Sequence, residues 1–168
     1  MKKILSLALY LLLVLGVMFL IFNLVSLSEV DYIKKEINLD ISGCNIVVKN
    51  DSHGGFHGDG EYFLKAECNE VSNDMINQIA GWKKMPLSED LHIFMYGGKK
   101  GSMTYGFEAA KDFGIPEIEN GYYFFIDRFD NNKNFYDDKN LLTRPAFNFT
   151  VALYDLDSNI LYYYEIDT

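Results

Sequence analysis

An almost unbroken apolar run, Ile4–Leu27, lies directly behind Lys2 and Lys3 and constrains this chain more than any other stretch. It is 24 residues long, carries no charge, and is interrupted only by Ser6, Tyr10, Gly16, Asn23 and Ser26. As a helix rising about 1.5 Å per residue it covers about 36 Å, enough to cross a hydrocarbon core of roughly 30 Å with some tilt. The competing reading is a cleaved secretory signal. Signal cores usually run about 7–15 residues and end at a small-x-small site. Here the run is longer, and Ser26-Leu27-Ser28 is the only site of that kind. No cysteine closes the run, which argues against a lipoprotein signal. The expectation is an uncleaved anchor over residues 1–28, with membrane contact through residues 4–27. Lys2, Lys3 and the terminal amine precede the run and Ser28-Glu29-Val30-Asp31 follows it, so the positive-inside rule keeps the N-terminus in the cytoplasm. The chain is therefore expected in the cell membrane as a single-pass protein, with residues 29–168 forming one extracytoplasmic domain.

Charge narrows the partners of that domain. The chain has 15 Lys+Arg against 24 Asp+Glu; without Lys2 and Lys3 the outer part carries 13 against 24, or −11. Such a balance opposes phosphate backbones, so no nucleic-acid partner is expected. Thirteen Phe, 12 Tyr and one Trp supply more aromatic surface than a disordered segment carries.

Periodicity points to an α+β domain. Val30–Glu36 reads as a short connector or the membrane-proximal start of the fold. Ile37-Asn38-Leu39-Asp40-Ile41 alternates with period two, as a half-buried strand does. Cys44–Lys49 and Glu61–Glu67 read as a hairpin around the turn-rich loop 51–60. Val71, Met75, Ile76 and Ile79 share one helical face within 71–80. Trp82, Met85 and Leu87 around Pro86 suggest a packed connector. Ser88 is a good N-cap for a short helix over 89–96, with Gly97-Gly98 as its stop; a strand is the alternative. Lys99–Ile118, rich in small and flexible residues, is expected to be a mobile surface loop. Tyr122–Arg128, Phe147–Asp155 and Ile160–Asp167 are the clearest strands, the last two joined by the turn Leu156-Asp157-Ser158-Asn159. The order ββααβββ implies a largely antiparallel sheet with helices on one face.

The richest chemistry lies in Asp51-Ser52-His53-Gly54-Gly55-Phe56-His57-Gly58-Asp59-Gly60. Two of the three histidines stand four apart, between aspartates, on a backbone loosened by four glycines. Imidazole and carboxylate at such spacing suit ligand binding or proton transfer. The plainer reading is a solvated hairpin tip whose glycines supply unusual φ. The candidate ligand-binding residues are therefore Asp51, His53, His57 and Asp59. No resident metal or cofactor is assigned. Asp130-x-Asn132-x-Asn134 begins like a calcium loop but has Phe135 where the turn needs glycine and Leu141 where the bidentate glutamate belongs. Asn148-Phe149-Thr150 fits the glycosylation pattern but falls in an expected strand. No catalytic set of Ser–His–Asp, Cys–His or paired-carboxylate type can be assembled from spacing alone.

Cys44 and Cys68 face each other if the hairpin pairs residues whose numbers sum to about 111–112. In an oxidising compartment that suggests a disulfide; two small buried thiols are the alternative.

The segments 53–60, Trp82-Lys83-Lys84-Met85-Pro86-Leu87, 121–128, 148–155 and the final Tyr164-Glu165-Ile166-Asp167-Thr168 together resemble small, uncharacterised, membrane-tethered proteins of Gram-positive bacteria such as clostridia. The resemblance spans about residues 51–168 and implies no activity and no site residue. Two function classes follow from the residues. The first is a binding or interaction domain for a protein or cell-envelope partner. The second is a small hydrolase or metal-binding protein using loop 51–60.

Overall fold

The computed structural model describes residues 10, 13–18, 29–54, 58–69, 76–129 and 135–168. Within the apolar run, residues 13–18 are helical and exposed. Among the described residues no helix is long and apolar enough to cross a membrane, and most of the run lies outside them.

Strands β1 (Asn45–Asp51), β2 (Gly60–Glu67), β3 (Trp82–Lys84), β6 (Gly121–Asp127), β7 (Asn148–Asp155) and β8 (Ile160–Asp167) form a sheet in the order β1-β2-β8-β7-β6-β3. Every pairing in it is antiparallel. The short strands β4 (Gly98–Lys100) and β5 (Met103–Tyr105) make a separate hairpin. Helices α1 (Glu29–Ile37), α2 (Glu89–Tyr96) and α3 (Ala109–Asp112) and a 3-10 turn at Leu141–Thr143 complete the described elements.

The expectation that helices cover one face is wrong: both faces are covered. The strands β6, β7 and β8 bury nearly every residue, so each presents an apolar side chain above and below the sheet. One face packs Phe149, Val151 and Tyr164 against Leu91, Phe94 and Met95 of α2, with Ala110 of α3 and Leu141 beside them. The other packs Leu64, Phe124, Tyr154 and Tyr163 against Ile33 and Ile37 of α1. A sheet with two apolar faces needs two covers.

Four local expectations are also corrected. Val30–Glu36 is most of α1, the start of the fold rather than a bare connector, with Asp31, Lys34 and Lys35 exposed and Ile33 fully buried. Ile37, Leu39 and Ile41 are buried as their alternation implies, but they form no strand: the chain crosses the sheet face as an irregular segment turned by Asn38 at φ 57°. Trp82–Lys84 is an edge strand paired with β6. Lys99–Ile118 holds most of β4, with β5 and α3, and buries Ala109, Ala110 and Ile115. Of the expected 71–80 helix, residues 76–80 are described: 76–77 are helical with Ile76 fully buried, and 78–80 turn away rather than continuing the helix. The helix over 89–96 is α2: Ser88 Oγ accepts the Leu91 N–H at 3.2 Å and Gly97, at φ 77°, ends it.

Strand β1 pairs Asn45 with Glu67, slips at a bulge between Ile46 and Val48, and reaches Asp51 opposite Tyr62. One step beyond Asn45–Glu67, Cys44 and Cys68 are joined by a disulfide with Cα atoms 4.1 Å apart.

Candidate functional site

Helix α1 lies across one end of the sheet, over a row of side chains that share a face: Asp51, Tyr62, Glu165 and Thr150, paired in turn across β1, β2, β8 and β7. The row is polar where the rest of the face is apolar, so α1 is fixed here by hydrogen bonds. Tyr62 Oη donates to Glu29, which also pairs with Lys49 Nζ. Tyr32 Oη lies 3.2 and 3.3 Å from the two Glu165 oxygens. Arg128 then ties the far end of the helix to the sheet. Its guanidinium donates to Glu36, to Thr150 Oγ1 at 2.8 Å, to Glu165 at 3.0 Å and to Asn148 Oδ1 at 2.9 Å. This engagement of Asn148 matches its place within β7.

Between α1 and the β1–β2–β8 edge these groups leave a cleft of about 450 Å³. Glu29, Asp51, Glu165 and Asp167 line it together with Tyr32, Tyr62, Lys49 and His53. Four carboxylates thus meet one lysine. Three of them are already occupied: Glu29 by Lys49 and Tyr62, Glu165 by Arg128 and tyrosines, Asp51 by His53. The side chain of Asp167 has no hydrogen bond or ion pair with the described residues, and its backbone is held between Gly60 and Asn148. Among the described residues it is the uncommitted carboxylate of the cleft.

The protonation of the cleft follows from these contacts. Burial raises the Glu29 carboxyl, but hydrogen bonds from Lys49 and Tyr62 outweigh it and hold the group below its ordinary range. Asp51 is lowered by the hydrogen bond with the His53 ring, then by the His53 backbone N–H. Burial, then the Glu165 and Glu36 charges, pushes the Tyr32 phenol up to about 12. Burial, with the hydrogen bond to Glu29, also raises Tyr62. At neutral pH the cleft is an anionic pocket with phenols that stay protonated donors.

Of the residues singled out in loop 51–60, the structure brings two together in the cleft. His53 Nδ1 and its backbone nitrogen each lie 3.0 Å from Asp51 Oδ1. Asp59 is exposed and does not line the cleft; His57 lies outside the described residues. The glycines have a specific use at the neck of the loop. A Cβ on Gly60 would stand 2.6 Å from the backbone N and Cα of His53, and Gly58 has φ 75°. The neighbouring hydroxyl of Ser52 is engaged in the hairpin, donating to Glu61 O at 3.1 Å and accepting from Glu61 N at 2.8 Å. Among the described residues no group of three or more His, Cys, Asp or Glu side chains is arranged to hold a metal ion. The calcium-like residues 130–134 lie outside the described residues, and Asp155 instead caps a turn, accepting from Asp157 N at 2.9 Å and Ser158 Oγ at 2.6 Å.

Sequence reasoning missed Glu29, Tyr32, Lys49, Tyr62, Glu165 and Asp167. The signal available was the unusual run of polar positions at the ends of β1, β2 and β8, where strands otherwise alternate or stay apolar. Comparison with protein families, with curated proteins and with solved structures finds no match to this chain.

Proposed function

We propose that the chain is a single-pass membrane-anchored protein whose extracytoplasmic domain is a binding module, with the α1–sheet cleft as its ligand site. The ligand is a cationic group, an ammonium or guanidinium, presented by a cell-envelope component or a protein. The observation that carries this reading is the lining of the cleft: four carboxylates against one lysine, with Asp167 uncommitted among the described residues. In a concave, partly desolvated site such an excess attracts cations and excludes anions. The anchor adds an address. Glu29, which lines the cleft, stands two residues beyond the end of the apolar run Ile4–Leu27, so an inserted run holds this end of the domain at the bilayer surface. The resemblance to membrane-tethered proteins agrees with that placement.

The test is calorimetric titration of the full chain, held in nanodiscs of zwitterionic lipid, with glucosamine and lysinamide against their neutral N-acetylated forms. Binding of the ammonium forms alone, weakened about tenfold by Asp167→Asn, supports the proposal. Equal response to charged and neutral forms, or no response to either, overturns it. Retention of the protein in membranes washed at high pH tests the anchor separately.

The His53–Asp51 contact favours a second reading, in which an oriented imidazole moves a proton during hydrolysis. Loss of a hydrolytic activity on His53→Ala and on Asp51→Asn, with cation binding retained, would identify it.

A further inference from the structure

A second concavity lies at the opposite end of the sheet and on its other side. Its walls are two segments that flank α2: residues 85–87, which follow β3, and 117–119, which lead into β6. Met85, Pro86, Leu87 and Ile118 make it apolar, and the ring of Tyr96 lies within it. The volume is about 290 Å³. That is at or below the ~300–1,000 Å³ of pockets that take drug-sized molecules, so it suits one or two side chains rather than a cofactor.

Both walls are tied down. Met85 N donates to Gly121 O at 3.0 Å on one side. On the other, Tyr96 Oη donates to Pro116 O at 2.7 Å and Ile115 N donates to Ala110 O at 2.7 Å. The groove is thus preformed, and an occupant need not order it. Its rim is acidic. Glu117 and Glu119 are both exposed, and the side chain of Glu117 is 72% accessible, with His92 Nε2 4.0 Å from its carboxylate. The charge decides between occupants. A second copy of a chain with formal charge −9 brings mostly like charge to this rim. Anionic lipid headgroups are opposed in the same way. Under the anchored reading the groove also points away from the bilayer, because β7 alone separates the two ends by roughly 25 Å.

We propose that this groove is a docking site for an extended segment of a partner protein. The segment seats an apolar side chain between Pro86 and Ile118 and sets an adjacent lysine or arginine against Glu117 and Glu119. The proposal goes beyond the cation cleft, since it concerns a different surface and a macromolecular partner.

The experiment is selection of random displayed peptides on the full chain in nanodiscs, counter-selected on a Glu117→Lys, Glu119→Lys variant. Expected is enrichment of sequences with an apolar residue beside a basic one. Their affinity, read by fluorescence anisotropy, should fall at least about tenfold on Glu117→Gln, Glu119→Gln, and their binding should shift the amide resonances of His92 and Tyr96. Both glutamates are exposed, so circular dichroism of the variants should be unchanged. No enrichment, a consensus without a basic residue, or affinity indifferent to Glu117 and Glu119 overturns the proposal. Self-association of the chain that the enriched peptide competes away would assign the groove to a second copy, and competition by phosphatidylglycerol vesicles would assign it to lipid; either overturns it too. Failure here leaves glucosamine binding at Asp167 untouched, so the two surfaces stand or fall separately.

Discussion

On one face of the sheet, α2, α3 and the 3-10 turn bring a thick aromatic layer down on β6, β7 and β8. Phe149 alone has Phe94, Phe125, Phe147 and Tyr164 around it, with ring centres 5.0 to 6.4 Å away. Among the described residues the other face is closed by the nine residues of α1 and the irregular segment after it, with Ile76, Ile79 and Tyr136 beside them. That cover contributes Ile33, Ile37, Leu39 and Ile41 and is otherwise pinned. A disulfide holds its end to β2, the Trp82 indole donates to Ile37 O at 2.8 Å, and Arg128 and Tyr32 bind its helix to Glu165. Apolar packing is strong but unspecific in direction; discrete pins fix position and leave room for a cleft. The thin face therefore carries the polar site, and the thick face is expected to carry more of the stability.

The sharpest way to break that contrast is Phe149→Ala. Loss of a fully buried ring from the aromatic layer should cost about 3–5 kcal/mol, read from chemical denaturation followed by the fluorescence of Trp82, the one tryptophan. A cost near that of an exposed residue would show that the thick face is not the main source of stability.

Replacing both Cys44 and Cys68 by serine comes next. The bridge closes a loop of sequence separation 24, and its removal should cost about 3.5 kcal/mol in the chain-entropy account. Because Cys44 ends the segment that follows α1, the same variant should raise hydrogen exchange in residues 37–44 more than in α2. Uniform loosening would contradict the division between faces.

Trp82→Phe keeps an aromatic ring but strips the donor from Ile37 O. The expected loss is about 1–3 kcal/mol, that of an orphaned buried carbonyl, and exchange should again rise in α1 before α2.

The smallest effect is in the acid limb. Glu29 and Asp51 are both held below their ordinary pKa in the folded chain. Each therefore contributes stability that is present above the unfolded carboxylate pKa of roughly 4 and is lost as pH falls through the folded value. A Glu29→Gln, Asp51→Asn variant should be slightly less stable than the parent at pH 7, converge with it below about pH 4, and so show a flatter acid limb. Thermal unfolding across that range checks it, and an unaltered limb would mean that the cleft carboxylates are not linked to folding.

Much of the fold was legible because local chemistry and tertiary outcome agree. Ser88, the acidic first turn and Gly97-Gly98 bound α2 where the sequence places a helix. The β7–β8 hairpin follows from two apolar strands around Asp155–Asn159, whose side chains make the turn. The facing of Cys44 and Cys68 follows from hairpin arithmetic, since the bulge falls after Asn45 and leaves that end in the expected register. Less was legible in the site. Asp51 and His53 were found because they adjoin in sequence, whereas Glu29, Tyr62 and Asp167 meet them only through pairing of β1, β2 and β8 and the lie of α1.

By itself the sequence determined the elements whose signal is complete within a few residues: caps, turns, alternating strands, an apolar run of membrane-spanning length and an acidic balance. Tertiary structure alone decided what depends on residues far apart meeting. It turned the period-two segment Ile37–Ile41 into an irregular crossing rather than a strand, because the segment lies over an apolar sheet face that buries Ile37, Leu39 and Ile41. It also made Val30–Glu36 a helix, since Ile33 and Ile37 gain a buried surface only once the sheet exists, and a nine-residue helix is marginal without one.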